Sequence, residues 1–266
     1  MRIAHIILPG ASEYERKSQR ADFAALAAQH EVTLVSMEEV DRARFDLAHV
    51  YASGELPAAP FVGFPIPYVA SAGFAPSRWR WRKPVAPRAV LSPLGTPALP
   101  EAVEEAWFEP RPRTSREVKI VGSYDRRALR NNVEQTVARI QRFRSDVAWH
   151  RYDRVPVPED LAGVDAWVDP AVDPRDFDGF VAEALVLGLP VVAARTPLNA
   201  LRLEQNRTGW LVPPNDPNEM THAILAALFK TEVAQTRQLA ARQTVSKFRA
   251  RHRIRVLTPL YETIIR

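Results

Sequence analysis

The chain has 266 residues, 46% of them hydrophobic and 25% charged, a composition that fits one large or two ordinary folded domains and excludes a disordered chain. It has no cysteine, which excludes disulfides and thiolate zinc sites and suits a reducing compartment. The net charge of +5, with Arg favoured over Lys, suits phosphate-bearing ligands, anionic membranes or nucleic acid, and equally a genome that writes Arg and Ala freely.

The first apolar run, Ile3–Leu8, ends at Pro9-Gly10. It is too short for a membrane helix, is followed by charges without a signal-peptide cleavage pattern, and reads as a buried strand. Glu13–Gln29 reads as a helix, with Phe23, Leu26 and Ala27 on one face. Strands are predicted at Glu31–Ser36 and Asp46–Ala52, and one or two short pieces between prolines in Phe61–Ser71. Strand, helix, strand in this order predicts a parallel sheet with right-handed crossovers. From Ala75 to Arg116 prolines are dense; Arg88–Gly95 reads as a strand, Pro100–Phe108 as a short helix and Glu109–Arg116 as a linker.

A second alternating unit follows. Glu117–Ser123 is predicted as a strand and Arg130–Arg144 as a helix burying Val133, Val137 and Ile140. Asp146–Asp153 and Val164–Ala171 read as strands around a helical turn at Glu159–Ala162. Glu183 lies on an apolar helical stretch that Gly188 stops, before the buried strand Leu189–Ala193. Pro217 opens a helix to about Lys230, and the tail from Glu232 is helical with a break expected before Pro259. The expectation is a reduced N-terminal α/β domain over 1–112, a C-terminal α/β domain over 113–245, and a helical segment over 246–266 bracing the first. Ligands of such sheets sit beyond the carboxyl ends of the strands, so a cleft between two units is the expected site.

The pieces "VKIVGSYD", "VDAWVDPA", "RDFDGFVAEALVLGLPVVA", "RTGWLVPPNDPNEMTHAILAAL" and "VSKFRARHRIRVLTPLYETII" stand in that order between Val118 and Ile265. Together they resemble the GT-B glycosyltransferases of the retaining, glycogen-synthase-like group, the glycosyl transferases group 1. The resemblance implies two Rossmann-like α/β/α domains facing a cleft. It implies transfer of a hexose from a nucleotide-diphosphate sugar, held by the C-terminal unit, to a hydroxyl of a glycan or glycolipid. It also implies a metal-independent enzyme with no cofactor beyond the donor substrate. The lack of cysteine, with the Trp- and Arg-rich segment "SRWRWRKP", gives the expectation of a cytoplasmic protein, peripheral on the inner face of the membrane if that segment docks there.

Carried onto this sequence, Glu183 matches the carboxylate that holds the ribose hydroxyls, and the helix beginning near Gly179 offers its N-terminus to the diphosphate. Ser123, Arg127 and Arg130 are the expected diphosphate contacts, with Asp176, Phe177 and Asp178 lining the sugar site. Asp176 and Asp178 are the candidate catalytic carboxylates, His49, at a strand end, is a candidate from the front unit, and Gly10 belongs to the expected loop near the donor phosphate. Three departures stand out. Arg175 occupies the register where the family has a second Glu, eight residues before Glu183; Ser123 follows Gly122 where Gly-Arg is usual; and "TPLNALRLE" replaces a Gly-Gly-x-Pro-Glu loop. These departures, with the short front unit, also fit a chain that is inactive alone: a non-catalytic GT-B-like protein binding a sugar nucleotide or a partner glycosyltransferase.

The segment "SRWRWRKP", with Trp79, Arg80 and Trp81, fits a peripheral membrane contact, a partner subunit, or Trp rings folded back over the sheet. Nucleic-acid binding through it and the basic tail is the weakest of these readings. The six His are scattered, and no cluster has metal-ligand spacing.

Overall fold

The computed structural model describes residues 1–9, 11–52, 64–71, 89–91, 98–112, 117–124, 130–170 and 179–266. The chain forms two compact units, Met1–Glu104 with Lys247–Arg266, and Glu105–Ser246.

The first unit is built on β1 (Arg2–Ile7), α1 (Glu13–Leu26), β2 (Glu31–Leu34), β3 (Leu47–Tyr51), β4 (Tyr68–Ser71) and β5 (Ala89–Leu91), and its last helix is α8 (Arg251–Ile265). The strands lie in the order β2-β1-β3-β4-β5, every pair parallel. Strand side chains alternate between the two faces. Ala4, Ile6, Ala48 and Val50 enter one core cluster, whereas Ile3, Leu47 and Val69 join Leu26 of α1 and Leu257 and Tyr261 of α8 in another. Glu15 fixes the start of α1 by accepting from the Ser12 amide at 2.9 Å, half of a capping box. The helix stops at Leu26 rather than Gln29, and the amides of Gln29 and His30 fold back to the Leu26 carbonyl.

The second unit comprises β6 (Lys119–Tyr124), α2 (Arg130–Gln141), β7 (Val147–Tyr152), α3 (Pro158–Leu161), β8 (Ala166–Asp169), α4 (Val181–Val186), β9 (Val191–Ala194), α5 (Pro197–Arg202), β10 (Trp210–Val212), α6 (Pro217–Phe229) and α7 (Thr231–Thr244). Its sheet runs β10-β9-β8-β6-β7, again parallel throughout. Counted within each unit, both sheets have the order 2-1-3-4-5 of a doubly wound fold. Val133, Val137 and Ile140 of α2 and Met220, Ile224 and Ala227 of α6 pack on Val121, Val168 and Val192 of the sheet. Helix α6 starts where expected, because Asp216 accepts from the amides of Asn218 and Glu219 at 3.0 Å and Pro217 needs no donor.

Two local expectations are corrected. Of the helix expected over Pro100–Phe108 only a 3-10 turn, Glu105–Phe108, forms; Val103 instead bridges to Arg249. The tail breaks at a 3-10 turn, Val245–Phe248, and Pro259 lies inside α8. Proline removes one helical donor, but Leu257 and Tyr261 on either side are fully buried and hold the helix together. The segment "TPLNALR", in which no element is predicted, is a capped helix, with Thr196 Oγ1 accepting from the Asn199 amide at 3.2 Å and Pro197 at the first position. No helix among the described residues is long and apolar enough to cross a membrane.

Candidate functional site

In an open parallel sheet, ligands collect beyond the carboxyl ends of the strands where the strand order reverses. In the second unit that reversal lies between β6, ending at Tyr124, and β8, ending at Asp169. The chain returns to this place at Gly179-Phe180, immediately before α4.

The turn into α4 is fixed from several sides. The indole N–H of Trp167 donates to the Gly179 carbonyl at 2.6 Å. Gly179 lies flat on the Asp169 carboxylate, and a Cβ there would stand 2.5 Å from Asp169 Cγ. Phe180 adopts φ 52°, in the left-handed region that costs a non-glycine residue about 1–3 kcal/mol. Surrounding packing holds it there. The Phe180 ring is fully buried, edge-on to Tyr124 at 5.0 Å and tilted toward Trp107 at 6.2 Å. Helix α4 then begins, and Glu183, 1% exposed, is its third residue.

Asp169 is itself positioned. Asn199 Nδ2 donates to Asp169 Oδ2 at 2.7 Å and to the Ala194 carbonyl at 3.0 Å, and Arg202 Nη1 donates to Asn199 Oδ1 at 3.1 Å. All three side chains are buried. The ends of β8 and β9, the start of α4 and helix α5 thus meet in one polar cluster at the switch point. Sequence reasoning missed Asp169, Phe180 and Asn199. The signals were a carboxylate closing an apolar strand and the Thr196-Pro197 cap that places Asn199 on a helix.

Glu183 and Gly179 come together at this switch point. Helix α4, however, begins two residues after Gly179 and has only six residues, under two turns, so its dipole is short. Ser123 is fully buried within β6, and its hydroxyl accepts from the Trp149 indole N–H at 2.8 Å. Arg130 starts α2. Gly10, Arg127, Arg175, Asp176, Phe177 and Asp178 lie outside the described residues, as do Trp79, Arg80 and Trp81. Among the described residues no group of three His, Asp or Glu side chains is placed to hold a metal ion.

His49 is corrected in position. It is the middle residue of β3, not a strand end, and it is fully buried with both ring nitrogens engaged by the first unit. Ser71 Oγ lies 2.6 Å from Nε2, and the Tyr51 and Tyr261 hydroxyls both reach Nδ1. Tyr51 donates to Asp22 at 2.9 Å, and Asp22 receives a two-pronged contact from Arg253 at 2.5 and 2.7 Å. Burial, with Arg253 nearby, pushes His5 down to about 3. Burial, then His5 and Arg253, likewise holds His49 well below its ordinary value. Burial and Asp22 raise Tyr51 and Tyr261 well above the usual phenol range. His49 thus belongs to a buried network that ties α8 to α1 and β3.

Residues 97–229 match the glycosyl transferases group 1 family, and the chain belongs to it. The activity of that family is sugar transfer. Solved structures similar to this chain include a glycosyltransferase from Rickettsia africae (12% identity, TM-score 0.74, covering 100% of this chain and 99% of that one). A sucrose-phosphate synthase from Thermosynechococcus elongatus (15% identity, TM-score 0.71, 99% of each chain) is another. A third is HepE from Anabaena, solved in complex with UDP (14% identity, TM-score 0.68, 99% of this chain and 100% of that one). At these identities the likeness establishes the fold, which is that of the GT-B glycosyltransferases. No curated protein matches the chain.

Proposed function

We propose that the chain transfers a hexose from a nucleotide-diphosphate sugar to a hydroxyl of a glycan or glycolipid, with retention of configuration and without a bound metal. The observation that carries this reading is the placement of Glu183 directly after the anchored Gly179-Phe180 turn, at the switch point of the second unit. A carboxylate accepts from two vicinal hydroxyls at once, so Glu183 takes the ribose. Arg127 and Arg130, in the segment that follows β6, meet the diphosphate as cations. Asp176, Phe177 and Asp178, in the segment between β8 and α4, line the sugar. Rate enhancement then comes from stabilising the departing diphosphate with fixed dipoles and cations. HepE, similar in fold, is solved with UDP and with UDP-glucose, which makes uridine nucleotides the first donors to try.

Arg175, standing where a family carboxylate is expected, favours a second reading: a chain that binds the sugar nucleotide without transferring it. The two readings separate in one assay. Released nucleoside diphosphate is followed across a panel of sugar nucleotides and glycan or glycolipid acceptors, beside donor binding by calorimetry. Turnover supports the enzyme. Binding without turnover supports the second reading, and absence of both rejects the donor site.

A further inference from the structure

We propose that the face of the second unit formed by α2 and α6 is a contact site for an anionic lipid bilayer. This inference shares no residue with the switch-point site and stands apart from the donor reading. The turn that follows α2 carries Phe143, which is 86% exposed, the most exposed large hydrophobic side chain among the described residues. Beside it lies a groove of about 440 Å³, lined by Arg139, Arg142, Arg144, His222 and Leu225, with no carboxylate in its lining. Arg144 is held by Asp146 at 2.6 and 2.8 Å and lies over the Phe229 ring, so it is locally neutralised. Arg139 bonds only the neutral side chain of Asn218 among the described residues, at 2.5 Å, and Arg142 is exposed at the rim.

The combination selects its occupant by charge. A solvated cationic face has no use for a naked phenyl ring. The groove's lining sets cations and no carboxylate beside an exposed ring, which calls for an occupant that is anionic at its surface and apolar beneath. A bilayer with anionic headgroups meets both demands: the ring enters the interfacial region while the arginines and the half-exposed Leu225 remain at headgroup level.

The test is flotation of the full chain with phosphatidylcholine vesicles, with and without phosphatidylglycerol. The chain is expected to float only with the anionic vesicles, and to be released by high salt. Arg142→Ala is expected to lower partitioning about fivefold, the change of one surface cation. Phe143→Ser lowers it as well, and Arg142→Glu with Phe143→Ser abolishes it. Each variant is expected to unfold at the wild-type temperature, because neither side chain is buried. Failure to float with anionic vesicles, or flotation that both variants leave unchanged, overturns the proposal. So does a self-association of the chain that Phe143→Ser abolishes in the absence of vesicle binding.

Discussion

Gly179→Ala is a small change with a large expected effect. The added methyl would stand 2.5 Å from Asp169 Cγ and 2.6 and 2.7 Å from its oxygens, where ordinary contact begins at 3.4 Å. About 1 Å of displacement is needed, and neither side gives freely. Asp169 is held by Asn199, and the Gly179 carbonyl is held by the Trp167 indole. Overpacking of this kind costs about 1–3 kcal/mol. The displacement passes to Phe180 and the start of α4, so Glu183 moves too and donor binding is expected to weaken. Urea unfolding followed by tryptophan fluorescence reads the first effect, and calorimetry with the donor nucleotide the second. Asp169→Ser combined with Gly179→Ala makes room and is expected to recover part of the lost stability. Wild-type stability and wild-type donor affinity in Gly179→Ala would refute the claim that this turn is tightly determined.

Arg253→Met leaves the Asp22 carboxylate buried without its guanidinium and is expected to cost about 3–5 kcal/mol, whereas Arg253→Met with Asp22→Leu should cost much less, a contrast read from denaturation midpoints. Stability is also expected to fall in acid. His5 and His49 are neutral in the fold and ordinary in the unfolded chain, so below pH 6.5 the unfolded state binds more protons. The loss for His5 approaches about 1.4 kcal/mol per pH unit as pH falls from 6.5 toward 3, and His49 acts in the same direction. His5→Asn should flatten the profile, and a flat wild-type profile between pH 7 and 5 would contradict it. Trp149→Phe removes the donor to Ser123 and is expected to cost about 1 kcal/mol in unfolding free energy while leaving donor affinity unchanged; a weakened affinity would place Ser123 at the site.

The central strands were legible because both of their faces are buried, so β8 and β9 read as apolar runs, and β1 and β3 as apolar runs interrupted by one buried His each. The capped helix α6 was equally plain. What failed depends on distance along the chain. His49 read as a strand-end residue because its partners cannot be seen locally: Tyr261 lies 212 residues away and Ser71 lies 22 away. Arg253, read as part of a basic tail, is a buried partner of Asp22 in α1. Pro259 looked like a helix break because local propensity argues so, and burial of its neighbours overrides it. At the candidate site, the short helix that carries Glu183 was legible from its apolar run ending at Gly188, while Asp169 and Asn199 become partners only once the sheet order brings β8 and α5 together.

The most direct test of the account is calorimetric titration of UDP and UDP-glucose into the wild-type chain and into Glu183→Gln. The account predicts that one uridine nucleotide binds the wild type, and that the variant binds it about tenfold or more weakly, the worth of hydrogen bonds to a charged group, while unfolding at the same temperature. A uridine nucleotide that binds both proteins equally, or no binding of either by the folded wild-type chain, would contradict the placement of a uridine-nucleotide donor at Glu183.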